Sequence, residues 1–93
     1  MPLDEKPMPH VTIYTTPFCP YCTMAKRLLA AKSVAYDEID VSRDSATRDT
    51  LVAKSGGRHT VPQIWIGDRH VGGCDDLYAL DRGGELDALL AVV

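Results

Sequence analysis

The sequence is short of cysteine and of clustered charge. Only three of its 93 residues are cysteines. Three is an odd number and too few for the set of disulfide bonds that holds small extracellular domains together. Basic residues are scattered along the chain, and the formal net charge is -3. Because phosphate binding relies on clustered Lys and Arg, this pattern argues against nucleic acid as a partner.

Long apolar segments are also missing. The longest apolar run, residues 88–93, is far too short to span a bilayer. Residues 1–9 contain three prolines and no apolar core like that of a signal peptide, so they are predicted to be a flexible N-terminal lead. We therefore expect one domain over residues 10–93, in the cytoplasm and without a membrane partner.

What the sequence does contain is a pair of cysteines in the stretch Phe18-Cys19-Pro20-Tyr21-Cys22. It lies between a β-rich apolar run and a helical pattern, so both thiols fall where a strand gives way to a helix. Residues three apart on a helix share a face, which lets Cys19 and Cys22 close into a disulfide or reopen. At the helix start, free amides and the dipole favour a thiolate at Cys19. Such a pair indicates redox or metal chemistry.

Periodicity and turn residues predict the order of elements. The first half reads as two strand–helix units: a strand at 10–14, a helix from Pro20 to about 32, a strand at 35–39, and a helix capped by Ser42 or Asp44. The second half reads as a hairpin and two helices: strands at 61–66 and 69–71 about Gly67-Asp68, then helices at 74–80 and over Leu86, Leu89 and Leu90. This predicts an α/β fold whose four-stranded mixed sheet, two parallel βα units then an antiparallel hairpin, is flanked by helices on both faces.

Three motifs then resemble the dithiol glutaredoxins of bacteria, which have the thioredoxin fold. They are Cys19-Pro20-Tyr21-Cys22, Thr60-Val61-Pro62 at the start of the third strand, and Gly72-Gly73-Cys74-Asp75-Asp76 before the third helix. The resemblance covers residues 10–91. It implies a monomeric, glutathione-dependent thiol-disulfide oxidoreductase that reduces protein disulfides and glutathione mixed disulfides. Its partners would be glutathione and glutathionylated or disulfide-containing proteins. Ribonucleotide reductase is one candidate protein substrate, but no residue of the sequence shows whether it is reduced.

The resemblance also implies roles for individual residues. Cys19 would be the nucleophile, and Cys22 the deeper resolving thiol with a higher pKa. The implied glutathione-binding residues are Tyr21, Arg58, Thr60, Val61, Pro62, Gly73, Cys74 and Asp75. The Val61–Pro62 bond would be cis, which leaves the Val61 backbone to pair with the cysteine of glutathione. The backbone amides of Cys74 and Asp75 would bind the carboxylate of the γ-glutamyl group. The Asp75 carboxylate would bind the ammonium of the same group.

One expected contact is missing from the sequence. Many relatives carry Lys three residues before the first cysteine, where this chain has Thr16. Arg58 therefore becomes the candidate cation for the glycine carboxylate, since a guanidinium pairs with a carboxylate through two hydrogen bonds. Phe18 and Tyr21, with Tyr14, are expected to wall the substrate groove, whereas Trp65 is expected to pack in the core.

Each assignment has a purely structural alternative. Pro62 could be a trans proline that opens a strand, Arg58 a solvated loop charge, and Cys74 a spectator thiol. Asp75 or Asp76 could serve as an ordinary helix cap. No metal site is expected, because the three histidines lack the spacing of zinc ligands.

Two other functions compete with the oxidoreductase. The chain could carry an iron–sulfur cluster bridged between two copies through Cys19 and glutathione, although cluster-binding relatives typically have a smaller or more flexible residue at the position of Pro20. It could also be a thioredoxin-like electron donor, but thioredoxins carry Cys-Gly-Pro-Cys at this site. Both remain alternatives on the sequence alone.

Overall fold

The structure, a computed structural model, describes residues 10–90. Its elements follow in the order β1 (Val11–Thr15), α1 (Pro20–Ala31), β2 (Asp37–Asp40), α2 (Ser45–Lys54), β3 (Gln63–Ile66), β4 (Arg69–Gly72), α3 (Cys74–Arg82) and α4 (Leu86–Leu90). The predicted lead over residues 1–9 lies outside the described residues. Between residues 10 and 90, no helix is long and apolar enough to cross a membrane.

The four strands form one mixed sheet in the order β2-β1-β3-β4. β1 pairs with β2 in parallel, and with β3 antiparallel so that Ile13 lies opposite Ile64. β4 returns antiparallel to β3 through a two-residue turn in which Gly67 has a φ of 61°, the backbone of a Gly-first hairpin turn. The predicted sheet of two parallel βα units followed by an antiparallel hairpin is confirmed.

The two faces of the sheet are covered by different helices. On one face Val11, Ile13, Ile64 and Ile66 pack with apolar side chains of α1, α3 and α4 into the larger core cluster. The predicted inner stripe of α1 belongs to this side: Cys22, Ala25, Leu28 and Leu29. The other face carries Tyr14 and Trp65, whose rings meet edge to face with centroids 5.3 Å apart, beneath Leu51 of α2. Helices therefore flank both faces, as predicted.

β2 and β3 each begin two residues later than predicted. After α1, the backbone N–H of Val34 still donates to the Leu29 carbonyl, so the chain leaves the helix too late to pair at residue 35. Before β3, Val61 and Pro62 do not join the ladder, since proline has no N–H to donate. These two residues instead belong to a loop that runs beside the cysteine pair.

Candidate active site

Cys19 and Cys22 lie at the N-terminus of α1. Cys19 is the N-cap residue, in extended conformation, and Pro20 takes the first helical position as predicted. The backbone N–H of Cys22 donates to Cys19 Sγ over 3.1 Å. A free amide of the first turn thus points at the sulfur, which stabilises negative charge there.

The two thiols differ in burial. Cys19 is partly exposed, whereas Cys22 is only 2% exposed on the inner face of α1. Burial, and then the hydrogen bond with Cys19, raise the pKa of the Cys22 thiol to about 12. Cys22 is therefore a protonated thiol at neutral pH, held one helical turn behind Cys19.

A groove of about 380 Å³ lies beside Cys19. The structure brings together in its lining all the residues predicted to bind glutathione and adds Asp76: Tyr21, Arg58, Thr60, Val61, Pro62, Gly73, Cys74, Asp75 and Asp76. The Val61–Pro62 peptide bond is cis, as the resemblance implied, and Cys19 Sγ lies 4.0 Å from the Val61 carbonyl oxygen. The groove therefore joins the cysteine motif to both of the other sequence motifs.

One wall of the groove is the N-terminus of α3. Asp76 is the capping side chain, since the Gly73 N–H donates to Asp76 Oδ2 over 2.9 Å. Asp75, by contrast, makes no side-chain hydrogen bond or ion pair within residues 10–90. Cys74 is buried, and burial followed by the charge of Asp75 raises its pKa. The cap belongs to Asp76, so the Asp75 carboxylate remains at the groove with its acceptors uncommitted.

The opposite wall carries Arg58. The Ser55 hydroxyl bonds both the N–H and the carbonyl oxygen of Arg58 at 3.1 Å, which fixes the backbone at the base of this side chain. The guanidinium is about half exposed and lies 3.6 Å from Asp76 Oδ2. A single long contact at the surface is a weak ion pair, so a bound carboxylate could take the place of Asp76.

The glutaredoxin family model matches residues 11–71. The chain belongs to the glutaredoxin family. It is 57% identical over 84 residues to a glutaredoxin of Pseudomonas aeruginosa, covering 90% of this chain and 99% of that protein. It is 52% identical over 83 residues to glutaredoxin 3 of Escherichia coli K12, covering 89% and 99%. A crystal structure of a buckwheat glutaredoxin–glutathione complex superposes with a TM-score of 0.82 at 28% identity, covering 89% of this chain and 77% of that one.

Membership in this family fixes the class of reaction. Glutaredoxins are glutathione-dependent thiol-disulfide oxidoreductases, and this chain is one of them. The matches favour this activity over the cluster carrier and the thioredoxin-like donor. Within the described part of the chain, no group of three or more His, Cys, Asp or Glu residues is placed to hold a metal ion.

Two aromatic residues lie elsewhere than expected. Tyr14 is 5% exposed, packed against Trp65 and beneath Leu51 of α2, so the expectation that it walls the groove is wrong. Phe18 is not a lining residue either: its side chain is fully exposed beside Cys19, on a backbone with a φ of 59°. Tyr21 does line the groove, and the core position predicted for Trp65 is confirmed.

The polar residues behind the groove were not expected from the sequence. Ser55, Gln63 and His70 make hydrogen bonds that reach the Arg58–Thr60 stretch or one another. Gln63 carried a usable signal, because a polar residue inside the run Val61 to Ile66 needs a hydrogen-bond partner when the strand is buried. The partner itself could not be read from the sequence, since His70 is brought to it by the hairpin.

Proposed function

We propose that this glutaredoxin reduces glutathione mixed disulfides and protein disulfides with Cys19 as the nucleophile and Cys22 as the resolving thiol. The observation that carries the proposal is the asymmetry of the pair. Cys19 is partly exposed, with its Sγ 4.0 Å from the carbonyl of the groove residue Val61, and accepts an amide hydrogen bond at a helix start, whereas Cys22 is buried behind it as a thiol. A thiolate attacks disulfides and a thiol does not, which supports attack by Cys19 first.

In the first step, the Cys19 thiolate attacks the glutathione sulfur of a mixed disulfide between glutathione and a protein. The old S–S bond breaks, and a new S–S bond joins Cys19 to glutathione. The protein thiolate leaves with the electron pair and takes a proton from water. The amide of Cys22, 3.1 Å from Cys19 Sγ, stabilises the attacking thiolate and later makes Cys19 a better leaving group.

Two routes complete the cycle. A second glutathione thiolate can attack the glutathione sulfur of the adduct, which releases glutathione disulfide and restores the Cys19 thiolate. Alternatively, Cys22 loses its proton and attacks Cys19 Sγ, which releases glutathione and leaves a Cys19–Cys22 disulfide for two further glutathione molecules to reduce. With a protein disulfide, Cys19 attacks one sulfur and the other leaves as a thiolate. Cys22 then attacks Cys19 Sγ, which releases the client with both thiols reduced and leaves the same Cys19–Cys22 disulfide for glutathione to reduce.

We propose that glutathione lies along the groove. The Val61 backbone, adjacent to Cys19 Sγ, suits the cysteine backbone of glutathione, and Tyr21 lies beside it. The amides of Cys74 and Asp75 at the start of α3 suit the γ-glutamyl carboxylate, with the Asp75 carboxylate for its ammonium. Arg58 suits the glycine carboxylate after exchanging its weak contact with Asp76. Thr60, Pro62 and Gly73 shape the walls between these contacts.

The cellular setting forms part of the proposal. A dithiol kept reduced by glutathione needs a reducing compartment, which supports the cytoplasm. We propose that the active form is a monomer. No step above calls for a metal. Ribonucleotide reductase stays among the proposed clients because its turnover, like that of other dithiol clients, would use the Cys22 route.

The proposal is tested with wild type, Cys19→Ser and Cys22→Ser in a glutathione-coupled assay on the mixed disulfide of glutathione and cysteine. We expect Cys19→Ser to fall to background and Cys22→Ser to stay within about threefold of wild type, because free glutathione replaces the resolving thiol. On an intramolecular protein disulfide, both variants should fail. Equal losses in both variants on the mixed disulfide would contradict the division of labour between the two thiols.

A further inference from the structure

Three polar residues are buried among those described: Thr15, Ser55 and Gln63. Two of them, Ser55 and Gln63, contact the same short stretch of chain, residues 58–61, here called the groove segment. It supplies Arg58, Thr60 and Val61 to the lining of the groove. A buried polar side chain is costly unless its hydrogen bonds are made, so what these two side chains bind is informative.

Gln63 holds one end of the groove segment. Its side chain is completely buried, and its Nε2 donates to both the carbonyl oxygen and the hydroxyl of Thr60, each at 3.1 Å. A carbonyl oxygen can only accept, so these contacts fix which end of the Gln63 amide is nitrogen. The amide oxygen must therefore face the other way, toward β4.

His70 of β4 meets that oxygen. His70 Nε2 lies 2.7 Å from Gln63 Oε1 and must be the donor, which selects the tautomer with its proton on Nε2. The imidazole also stacks on Trp65 with ring centroids 4.4 Å apart, so its plane is fixed. His70 thereby holds the Gln63 amide in the orientation that reaches Thr60.

The same contact ties together the two walls of the groove. β4 continues from His70 to Gly72, and the next residue, Gly73, is the N-cap residue of α3. The register of β3 against β4 shifts between Ile64 and Trp65, where Val71 is the extra residue of a bulge. The bond from His70 joins β4 to Gln63 of β3 just before this bulge, and Gln63 in turn bonds Thr60 of the groove segment, so one wall is braced against the other.

Ser55 holds the other end of the groove segment. Its hydroxyl accepts from the Arg58 N–H at 3.1 Å, and its single proton is shared between the Arg58 carbonyl at 3.1 Å and the Val52 carbonyl of α2 at 3.2 Å. Arg58 is thus anchored to the end of α2, and Thr60 to the start of β3. Between these anchors lies His59, whose carbonyl oxygen accepts a hydrogen bond from Arg48 Nη2 of α2 at 3.3 Å.

We infer that Gln63, oriented by His70, and Ser55 are positioning residues that hold the groove segment in the conformation that binds glutathione. The inference rests on the proposed function, since it concerns the same groove. Neither Gln63 nor His70 lines the groove, so both act through Thr60 and Val61. A fixed segment lowers the ordering cost of binding, which appears as a lower Michaelis constant.

The experiment measures kcat and the Michaelis constant for glutathione in Gln63→Met, His70→Phe and Ser55→Ala. Met conserves the length of Gln without its donor, and Phe conserves the stack on Trp65 without the Nε2 proton. We expect each substitution to raise the Michaelis constant about five- to tenfold with kcat within about twofold of wild type. The double variant Gln63→Met/His70→Phe should be no worse than Gln63→Met alone, because both changes remove one path.

Thr15→Val is the matched control. Thr15 is the remaining buried polar residue, and its hydroxyl donates to Glu38 Oε2 over 2.8 Å on the far side of β1 from the groove segment. We expect this change to lower stability as much as the test variants do and to leave the Michaelis constant unchanged. Gln63→Glu separates the two contacts of Gln63: it keeps an acceptor for His70 but removes the donor to Thr60, so it should bind glutathione as weakly as Gln63→Met.

The outcomes separate this inference from the proposed function. If wild type fails to turn over the mixed disulfide, or Cys19→Ser retains activity, the proposed function is wrong. If those results are as expected but Gln63→Met and Ser55→Ala keep the wild-type Michaelis constant, only the positioning role is wrong. The same conclusion follows if Thr15→Val raises the Michaelis constant as much as they do, because the effect would then reflect general loss of stability.

Discussion

Two surfaces of different character meet at Cys19. On the loop side, formed by residues 58–62 and 73–76, the lining is charged side chains, backbone and a proline, and buried hydrogen bonds support it from behind. On the helix side, Phe18 and Met24 are apolar, Phe18 fully exposed and Met24 42% exposed. Tyr21 lies at the boundary between the two.

The difference suggests that the two sides serve different parts of a substrate. A rigid polar groove suits a small peptide with two carboxylates and an ammonium, which is glutathione. An exposed apolar rim suits the varied surface of the protein that shares the disulfide, since it contributes contact area without demanding particular partners. Substitutions on each side, and at the buried thiol behind them, test this difference.

Gly72→Ala should disrupt the loop side most strongly. Gly72 has a φ of 116°, and an added Cβ would overlap the Asp76 carboxylate that caps α3. Backbone strain and the displaced cap together should lower the free energy of unfolding by about 3 kcal/mol and the kcat/KM for glutathione more than tenfold. Denaturant unfolding and steady-state kinetics measure the two effects.

Gly84→Ala is the control for Gly72→Ala. Gly84 also has a positive φ, 77°, but nothing lies within 4 Å of an added Cβ. It should cost only about 1 kcal/mol and leave glutathione kinetics unchanged. Equal effects of the two substitutions would show that backbone strain alone, and not the contact with Asp76, accounts for the result.

The buried thiol behind both sides should make stability fall at alkaline pH. The pKa of Cys22 is raised by burial, then by Cys19, from 9.0 to about 12. The folded protein therefore holds a proton that the unfolded chain releases, so this contribution is complete below pH 9 and is lost as pH rises toward 12. The slope should approach 1.4 kcal/mol per pH unit in that window.

Cys22→Ala isolates this effect, because every other titrating group is still present. The difference in unfolding free energy between wild type and Cys22→Ala should be constant below about pH 9 and should shrink above it. Denaturant unfolding under reducing conditions at several pH values measures that difference. A difference that stays constant to pH 11 would mean that Cys22 has no raised pKa in the folded protein.

Most of the fold could be predicted because local and periodic signals agree. The stripe of α1, the Gly67-Asp68 turn and the alternation in β1 depend on residues close together in the sequence, and the structure bears each of them out. The errors fell at the starts of β2 and β3, where a helix end or a proline decides whether a residue can pair. Such boundaries depend on tertiary contacts more than on propensity.

The candidate site also has a part that could be predicted from the sequence and a part that could not. Its lining was predictable because, apart from Arg58, three motifs carry it, and motifs are short stretches of sequence. The support behind the lining was not predictable: Gln63 and His70 are seven residues apart and meet only through the hairpin, while Ser55 looks like an ordinary helix end. Tyr14 was misplaced because alternation along β1 does not show that α2 covers its face of the sheet.

Phe18→Ala should weaken the helix side alone, with the smallest effect of the three. Phe18 is fully exposed beside Cys19 in the left-handed region, with a φ of 59°. Alanine keeps a Cβ on the same backbone, so the position of Cys19 is preserved while the apolar ring is removed. We expect kcat/KM for glutathionylated serum albumin to fall about threefold, because a modest apolar contact is lost, and to fall less for the mixed disulfide of glutathione and cysteine.

Phe18→Leu should restore most of the loss on the protein substrate. Equal losses on the two substrates would place Phe18 with the glutathione groove after all, and the contrast between the two sides of Cys19 would then no longer hold.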